Sequence, residues 1–253
     1  MLHRRQSLRG VVIVVFTSIL SGPASADVIV FQSSLMGAPA FGGYSLSSNQ
    51  YLGARFHISA PTQIIAVGGN IGGGWFHSDG STSGATVFGS IVPLSGPTAL
   101  PSNTTFETDV LGVTVFTTPN GFHDPSADLR APLALTLQPG WYGLVFGAGA
   151  FGTPALPNSG NMPSDNTPIA GNESYFAYQP ITGTGQLAWV QFPTSGLRFV
   201  VVGIPEPSPL ALASIAVGVF ALASLWRSKR AALVHSAEGP RAPVLSLVRE
   251  ARS

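Results

Sequence analysis

Apolar and polar residues alternate along most of the chain between Asp27 and Gly203, in short segments separated by glycine and proline. From Tyr51 to Ile58, for example, every second residue is apolar. No long segment has the 3.6-residue period of an amphipathic helix. The pattern therefore predicts an all-β fold, an antiparallel β-sandwich that is jelly-roll-like and has about eight to ten strands.

The predicted strands lie between turn residues and cover 27–32, 51–58, 64–67, 86–92, 110–117, 133–137, 141–146, 173–179, 186–192 and 197–203. Apolar alternation on both sides of Pro139-Gly140 predicts a β-hairpin there, and the segments before and after Pro61 predict a strand pair. In 51–58 one face is apolar and we expect the other to face water. The proline-containing segment 147–171 predicts a long loop of the kind that often binds ligands.

Both ends of the chain have the pattern of targeting segments. Arg4, Arg5 and Arg9 precede an apolar run, and Ala24-Ser25-Ala26 follows it, which predicts a signal peptide over residues 1–26. Signal peptidase would then leave Asp27 as the mature N-terminus. The arginine pair leaves open whether export follows the general or the twin-arginine route.

A second apolar run, from Leu210 to Trp226, has the minimum length of a membrane-spanning helix. The basic residues Arg227, Lys229 and Arg230 follow it and predict a cytoplasmic C-terminal side. We therefore expect a β-sandwich ectodomain over 27–203, a membrane segment over 204–230 and a cytoplasmic tail over 231–253. The protein would be exported and held at the inner membrane by this one C-terminal transmembrane helix.

The tripeptide Pro205-Glu206-Pro207, the apolar run and the basic cluster Arg227, Lys229 and Arg230 stand in a fixed order. This order resembles the PEP-CTERM sorting signal of Gram-negative bacteria. The resemblance covers 205–230 and implies an exosortase partner, a membrane enzyme that cleaves near the tripeptide and passes the protein to the cell surface or the extracellular polysaccharide matrix. An ordinary single-pass anchor is the alternative.

The sandwich region also resembles the ectodomains that commonly precede bacterial surface anchors, through 51–56, 138–146 and 197–201.

The net charge of the sandwich region differs from that of the whole chain, which is +1. Residues 27–203 contain three arginines, no lysine and eight acidic residues, a net charge of −5. This balance argues against nucleic acid as a partner. The chain has no cysteine, which excludes disulfides and thiolate metal sites.

Catalytic patterns are sparse, and we expect no enzyme activity. The segment Gly80-Ser81-Thr82-Ser83-Gly84 has threonine where a nucleophile elbow needs serine. A surface hydrolase would need two converging carboxylates, and the sequence leaves open whether any of Glu107, Asp109 and Glu173 converge.

Two groups of residues have the oxygen and nitrogen ligands of a metal site: His77 with Asp79, and Asn120, His123, Asp124 and Asp128. Their oxygens suit calcium, but neither group has the spacing of a calcium motif. Side chains that cap their own turns explain the pattern better, so we expect no cofactor and no metal.

The leading interpretation is a non-enzymatic surface or matrix protein, and the alternative is a carbohydrate-binding module on the same membrane anchor. Sugar rings stack on exposed aromatic side chains, for which Trp75 and Trp141 are the candidates. The amides of Asn158, Asn161 and Asn166 would then supply hydrogen bonds. Polysaccharide is a further partner under this alternative.

Overall fold

The computed structural model describes residues 27–74, 85–120, 124–205, 216–220, 222–224 and 226. The predicted signal peptide, the cytoplasmic tail and the sorting residues Glu206, Pro207, Arg227, Lys229 and Arg230 lie outside the described residues. The chain divides into two units, Met1–Glu206 and Pro207–Ser253. Where the structure describes the second unit, the residues are helical. No helix within the described residues has the length and apolarity needed to cross a membrane.

The described part of the first unit contains fourteen strands and one short helix, which confirms the all-β prediction. In chain order they are β1 (Val28–Gln32), β2 (Ser34–Leu35), β3 (Tyr44–Leu46), β4 (Tyr51–Ile58), β5 (Thr62–Gly73), β6 (Thr86–Leu94), α1 (Phe106–Asp109), β7 (Gly112–Thr117), β8 (Ala127–Leu137), β9 (Gly140–Gly147), β10 (Gly160–Met162), β11 (Thr167–Pro168), β12 (Tyr175–Pro180), β13 (Leu187–Gln191) and β14 (Phe199–Pro205). The strand predicted over 51–58 has those bounds as β4. The last strand continues past Gly203 to Pro205.

The strands form two six-stranded sheets in which every pairing is antiparallel. Sheet I has the order β1-β14-β5-β10-β3, and β8 also pairs with β5. Sheet II has the order β13-β12-β4-β9-β6-β7. A further small sheet joins β2 to β11. The first and last strands are neighbours, since Val28 pairs with Gly203.

The inner faces of the two sheets form the main hydrophobic core, so the unit is a β-sandwich. Phe31 of sheet I lies against Phe56 of sheet II with ring centroids 5.4 Å apart. Phe146 of sheet II stacks on Phe199 of sheet I at 5.3 Å. Burying a side chain of this size contributes about 1.5 to 3 kcal/mol, so these contacts across the sheets are a main source of stability.

The two predicted strand pairings are wrong. The Pro139-Gly140 turn does not close a hairpin, because β8 pairs with β5 in sheet I whereas β9 pairs with β4 and β6 in sheet II. The segments on either side of Pro61, β4 and β5, also lie in different sheets. Each strand of a sandwich buries one face whichever sheet it joins, so alternation alone does not identify its partner.

The glycine-rich segment after Val67 continues β5 to Gly73, although the predicted strand ended at Val67. Neighbouring backbones approach closely here. A Cβ atom on Gly68 would lie 2.1 Å from the carbonyl oxygen of Leu129, and one on Gly69 would lie 2.3 Å from that of Arg198. The glycines thus allow β8 and β14 to pair on both edges of β5. The predicted loop 147–171 likewise contains the short strands β10 and β11.

An ion pair between a buried arginine and a partly exposed aspartate joins the ends of several strands in sheet I. Arg198 is only 4% exposed, and its Nε and Nη2 atoms donate to Asp128 at 3.0 and 3.1 Å. Its Nη1 atom donates to Gln32 and to the carbonyl oxygen of Ser34. Burial by itself raises the pKa of the Asp128 carboxyl, but the hydrogen bonds and charges of Arg198 and then of Arg130 outweigh it and lower the pKa.

We expect Asp128→Asn to lower the free energy of unfolding by about 2 kcal/mol or more at pH 7, because it removes the charge that neutralises buried Arg198. The folded carboxyl has a lowered pKa, so its contribution is complete above the unfolded value of about 3.9 and is lost as pH falls through the folded value. Urea unfolding of residues 27–205 at pH 7 and at pH 3 measures both effects.

Asp165→Asn is the matched control, since Asp165 is exposed and should change stability by less than about 0.5 kcal/mol. An Asp128→Asn effect that equals that of the control, or that is as large at pH 3 as at pH 7, would contradict the assigned role of the ion pair.

Candidate ligand-binding site

The outer face of sheet II is covered, contrary to the prediction that it faces water. Tyr51, Arg55 and His57 lie on this face of β4, and only His57 is exposed. Arg55 is 2% exposed and Tyr51 is 8% exposed. The cause is the connection between β6 and β7, residues 95–111, which crosses the outer face of the sheet. We call this segment the covering loop.

Hydrogen bonds fix the covering loop to the sheet. The Arg55 Nε atom donates to the carbonyl oxygen of Ala99 at 2.7 Å. The Trp189 indole Nε1 donates to the carbonyl oxygen of Ser102 at 3.2 Å, and the Trp189 backbone N–H donates to the Asn103 side chain at 2.8 Å. The loop is therefore held at both the middle of the sheet and the edge strand β13.

Beneath the loop, the ring of Phe176 lies directly on two glycines. Cβ atoms on Gly53 and Gly143 would lie 2.4 and 2.8 Å from atoms of this ring, so no larger residue fits at either position without displacing it. The Arg55 guanidinium carbon is 4.9 Å from the ring centroid, within the range of a cation–π contact. Burial lowers the pKa of Arg55. An arginine nevertheless remains protonated, so the cation–π contact persists.

A cluster of aromatic rings forms where the covering loop meets β4, β12 and β13. Tyr51 stacks on Tyr178 at a centroid distance of 5.3 Å, and Tyr178 lies 5.2 Å from Trp189. Phe106, the buried residue of α1, meets Trp189 edge-on at 5.0 Å. These distances fall within the favourable range for aromatic pairs. The cluster anchors the end of the covering loop at the edge of sheet II.

A cavity of about 260 Å³ opens beside this cluster. One wall is aromatic and the other consists of polar side chains of the covering loop. The lining residues are Tyr51, Asn103, Thr104, Thr105, Phe106, Glu107, Thr108, Tyr178 and Trp189. The volume is slightly below the roughly 300 to 1,000 Å³ of most small-molecule sites, so the cavity suits a single small ligand or one ring of a larger one.

The charge of the cavity is negative. Glu107 is the only charged residue in its lining, and the neighbouring Asp109 accepts a hydrogen bond from Thr105 at 2.5 Å. Burial, then the charge of Glu107 and then Tyr178 raise the pKa of Tyr51 to about 12. The Tyr51 hydroxyl consequently stays protonated at physiological pH and remains a hydrogen-bond donor.

Of the two tryptophans predicted from the sequence, the structure describes only Trp141, and this residue does not line the cavity. Trp141 is half-buried on the same outer face, where its ring lies 4.9 Å from that of His57. His57 is six residues along β4 from Tyr51, a separation of about 20 Å. Trp75 lies outside the described residues, so the structure does not place it relative to Trp141.

The asparagines predicted to face a sugar have structural roles instead. Asn161 and Asn166 are buried. The Asn161 side chain donates to the carbonyl oxygen of Gly73 at 2.5 Å, and that of Asn166 donates to the carbonyl oxygen of Gly196 at 2.7 Å. These bonds hold the segment after β9 against the sheets and leave neither amide on the surface. Asn158 is half-buried.

Two of the acidic residues considered as metal ligands, Asp124 and Asp128, have partners within the described part of the protein. Asp124 and Asn120 close a turn on each other, and Asp128 binds Arg198 and Arg130. No group of three or more His, Asp or Glu side chains that could hold a metal ion occurs among the residues that the structure describes. His77, Asp79 and His123 fall in the parts of the chain that it does not describe.

The sequence does not reveal the covering loop, because residues 95–109 have no strand or helix period and the predicted strand 110–117 begins only at Gly112. The available signal was Phe106, one large apolar residue among polar ones, together with the outward alternation of Tyr178 and Trp189.

No protein-family model matches the chain, and no curated protein matches it.

We expect Gly53→Ala to lower the free energy of unfolding by about 1 to 3 kcal/mol, because the new methyl group overlaps the Phe176 ring. Phe176 contacts Trp189, so tryptophan fluorescence should also shift. Gly96→Ala in the covering loop is the control, since a Cβ there has no heavy atom within 4 Å. Equal stability of the two variants would show that the Phe176 ring does not depend on this space.

Proposed function

We propose that the chain is an exported, non-enzymatic protein that a C-terminal sorting signal directs to the cell surface or the extracellular polysaccharide matrix. The proposal rests on where the folded domain ends along the chain. The last strand of the sandwich ends at Pro205, the first residue of the tripeptide. The folded domain thus stands immediately before the tripeptide, the apolar run and the basic cluster.

We propose that signal peptidase removes residues 1–26, that 204–230 crosses the inner membrane once and that 231–253 is cytoplasmic. Exosortase is the proposed processing partner. Support comes from the apolar run and its basic C-terminal side. The described helical residues of the second unit, Pro207–Ser253, also expose large apolar side chains. Phe220 is 76% exposed and Val217 is 68% exposed. Such surfaces are typical of segments that contact lipid.

We also propose that the β-sandwich is a jelly roll. Eight strands, β1, β4, β5, β6, β7, β8, β9 and β14, can be numbered one to eight. They then have the order 1-8-3-6 in sheet I and 2-7-4-5 in sheet II, which is the order of a jelly roll. The hairpin β12–β13 extends sheet II beyond β4.

The absence of enzyme activity is also proposed. Support comes from two carboxylates, those of Asp128 and Asp109, whose contacts stabilise the fold. Asp128 forms ion pairs with Arg130 and Arg198, and Asp109 accepts a hydrogen bond from Thr105 within the covering loop. A second candidate function, carbohydrate binding on the membrane anchor, is favoured by the cavity between the covering loop and β12–β13.

Replacing Pro205-Glu206-Pro207 by three alanines tests the sorting proposal. The change keeps the apolar run and its basic side, so membrane insertion should be unaffected while release from the membrane stops. The measurement is fractionation of a host that contains an exosortase, with sequencing of the released protein, which should begin at Asp27 and end near the tripeptide.

A deletion of residues 231–253 is the matched control, because it removes the tail and leaves the signal intact. Wild type and deletion variant should both be released. Equal membrane retention of wild type and alanine variant would identify a permanent anchor, and release of the deletion variant alone would show that the tail blocks processing.

A further inference from the structure

We infer that the cavity between the covering loop and the β12–β13 hairpin binds one ring of a neutral saccharide. The inference rests on the second candidate function, carbohydrate binding, and adds to it the place of the site and the class of sugar, and it is independent of how the protein is anchored. It also differs from the sequence-based candidate Trp141, which the structure describes and which does not line this cavity.

The aromatic wall suits the apolar face of a pyranose ring. Tyr51, Tyr178 and Trp189 pack together with centroid distances of 5.2 to 6.2 Å, and Tyr51 and Trp189 are only 8% and 5% exposed. Tyr178 is half-buried, so its ring is accessible in part from the cavity. Aromatic side chains combine a large apolar area with a polar edge, which matches a ligand that has C–H groups on one face and hydroxyls around its rim.

The polar wall supplies both donors and acceptors, as a ligand rich in hydroxyl groups needs. The Asn103 Oδ1 atom accepts from Trp189, which orients its amide Nδ2 as a donor. Thr104, Glu107 and Thr108 are exposed on the covering loop, and the Thr108 hydroxyl, which donates to the carbonyl oxygen of Thr105, is available as an acceptor. The Tyr51 hydroxyl adds a donor that stays protonated.

Charge selects among saccharides. The lining contains Glu107 and no lysine or arginine, and Asp109 lies next to it in α1. The sequence 27–203 has a net charge of −5. Phosphate, sulfate and uronic acid groups would therefore meet repulsion with no cation to bind them. A neutral sugar requires no compensating charge.

The test uses the full-length protein purified in detergent and titrated with the methyl glycosides of glucose, galactose, mannose and N-acetylglucosamine, with glucuronate and inorganic phosphate alongside. Calorimetry and tryptophan fluorescence measure binding. We expect at least one neutral glycoside to bind and to change the Trp189 emission, and glucuronate and phosphate to bind at least about tenfold more weakly. Absence of binding by every neutral glycoside, or preferred binding of an anion, would overturn the inference.

Variants locate the site. Tyr178→Ala removes the accessible ring and should weaken binding at least about tenfold, equivalent to about 1.4 kcal/mol. Thr108→Trp fills the cavity from an exposed loop position, so it should abolish binding even if Tyr178→Ala fails to fold. Trp141→Ala is the control on the same face of sheet II. Equal binding by Thr108→Trp and wild type, or loss only in Trp141→Ala, would place the ligand elsewhere, and thermal melting confirms that each variant is folded.

Discussion

The contact of the Phe176 ring with two glycines determines how the second layer of this sandwich is built. Gly53 and Gly143 leave the centre of sheet II without side chains on its outer face, and the ring fills that space. Arg55 lies over the ring and bonds to the covering loop, which is thereby held against the sheet. The position of the loop then sets the cavity at its end. The outer face of sheet II is therefore covered around Arg55 and Tyr51, while His57 on the same face is exposed.

The period-two pattern identified where most strands lie because each strand buries at least one apolar face. It could not identify the partner of a strand, as β8 and β9 show, since either sheet buries the same face. The pattern also placed Arg55 on the face of β4 that was expected to meet water. The guanidinium is buried because a segment without any regular period lies over it, and that segment's path depends on contacts distant in sequence.

The candidate site was predictable only in its chemistry. Aromatic residues, the type expected to contact a sugar, line the cavity, and two of them, Tyr178 and Trp189, lie on strands β12 and β13. Their sequence did not distinguish them from Trp141, which lies on the same face but about 20 Å along the sheet. Tyr178 and Trp189 differ from Trp141 because the covering loop reaches β13. Its polar side chains form a second wall opposite the aromatic rings at that edge of the sheet.

The strand that leads to the C-terminal part of the chain is an interior strand. β14 lies between β1 and β5 and pairs with β5 from Phe199 to Pro205. A mechanical load applied beyond Pro205 along the strand would pull these hydrogen bonds in shear, so that many must break together. A load applied across the strand would open them one at a time. The domain should therefore resist traction best when pulled along the axis of its last strand.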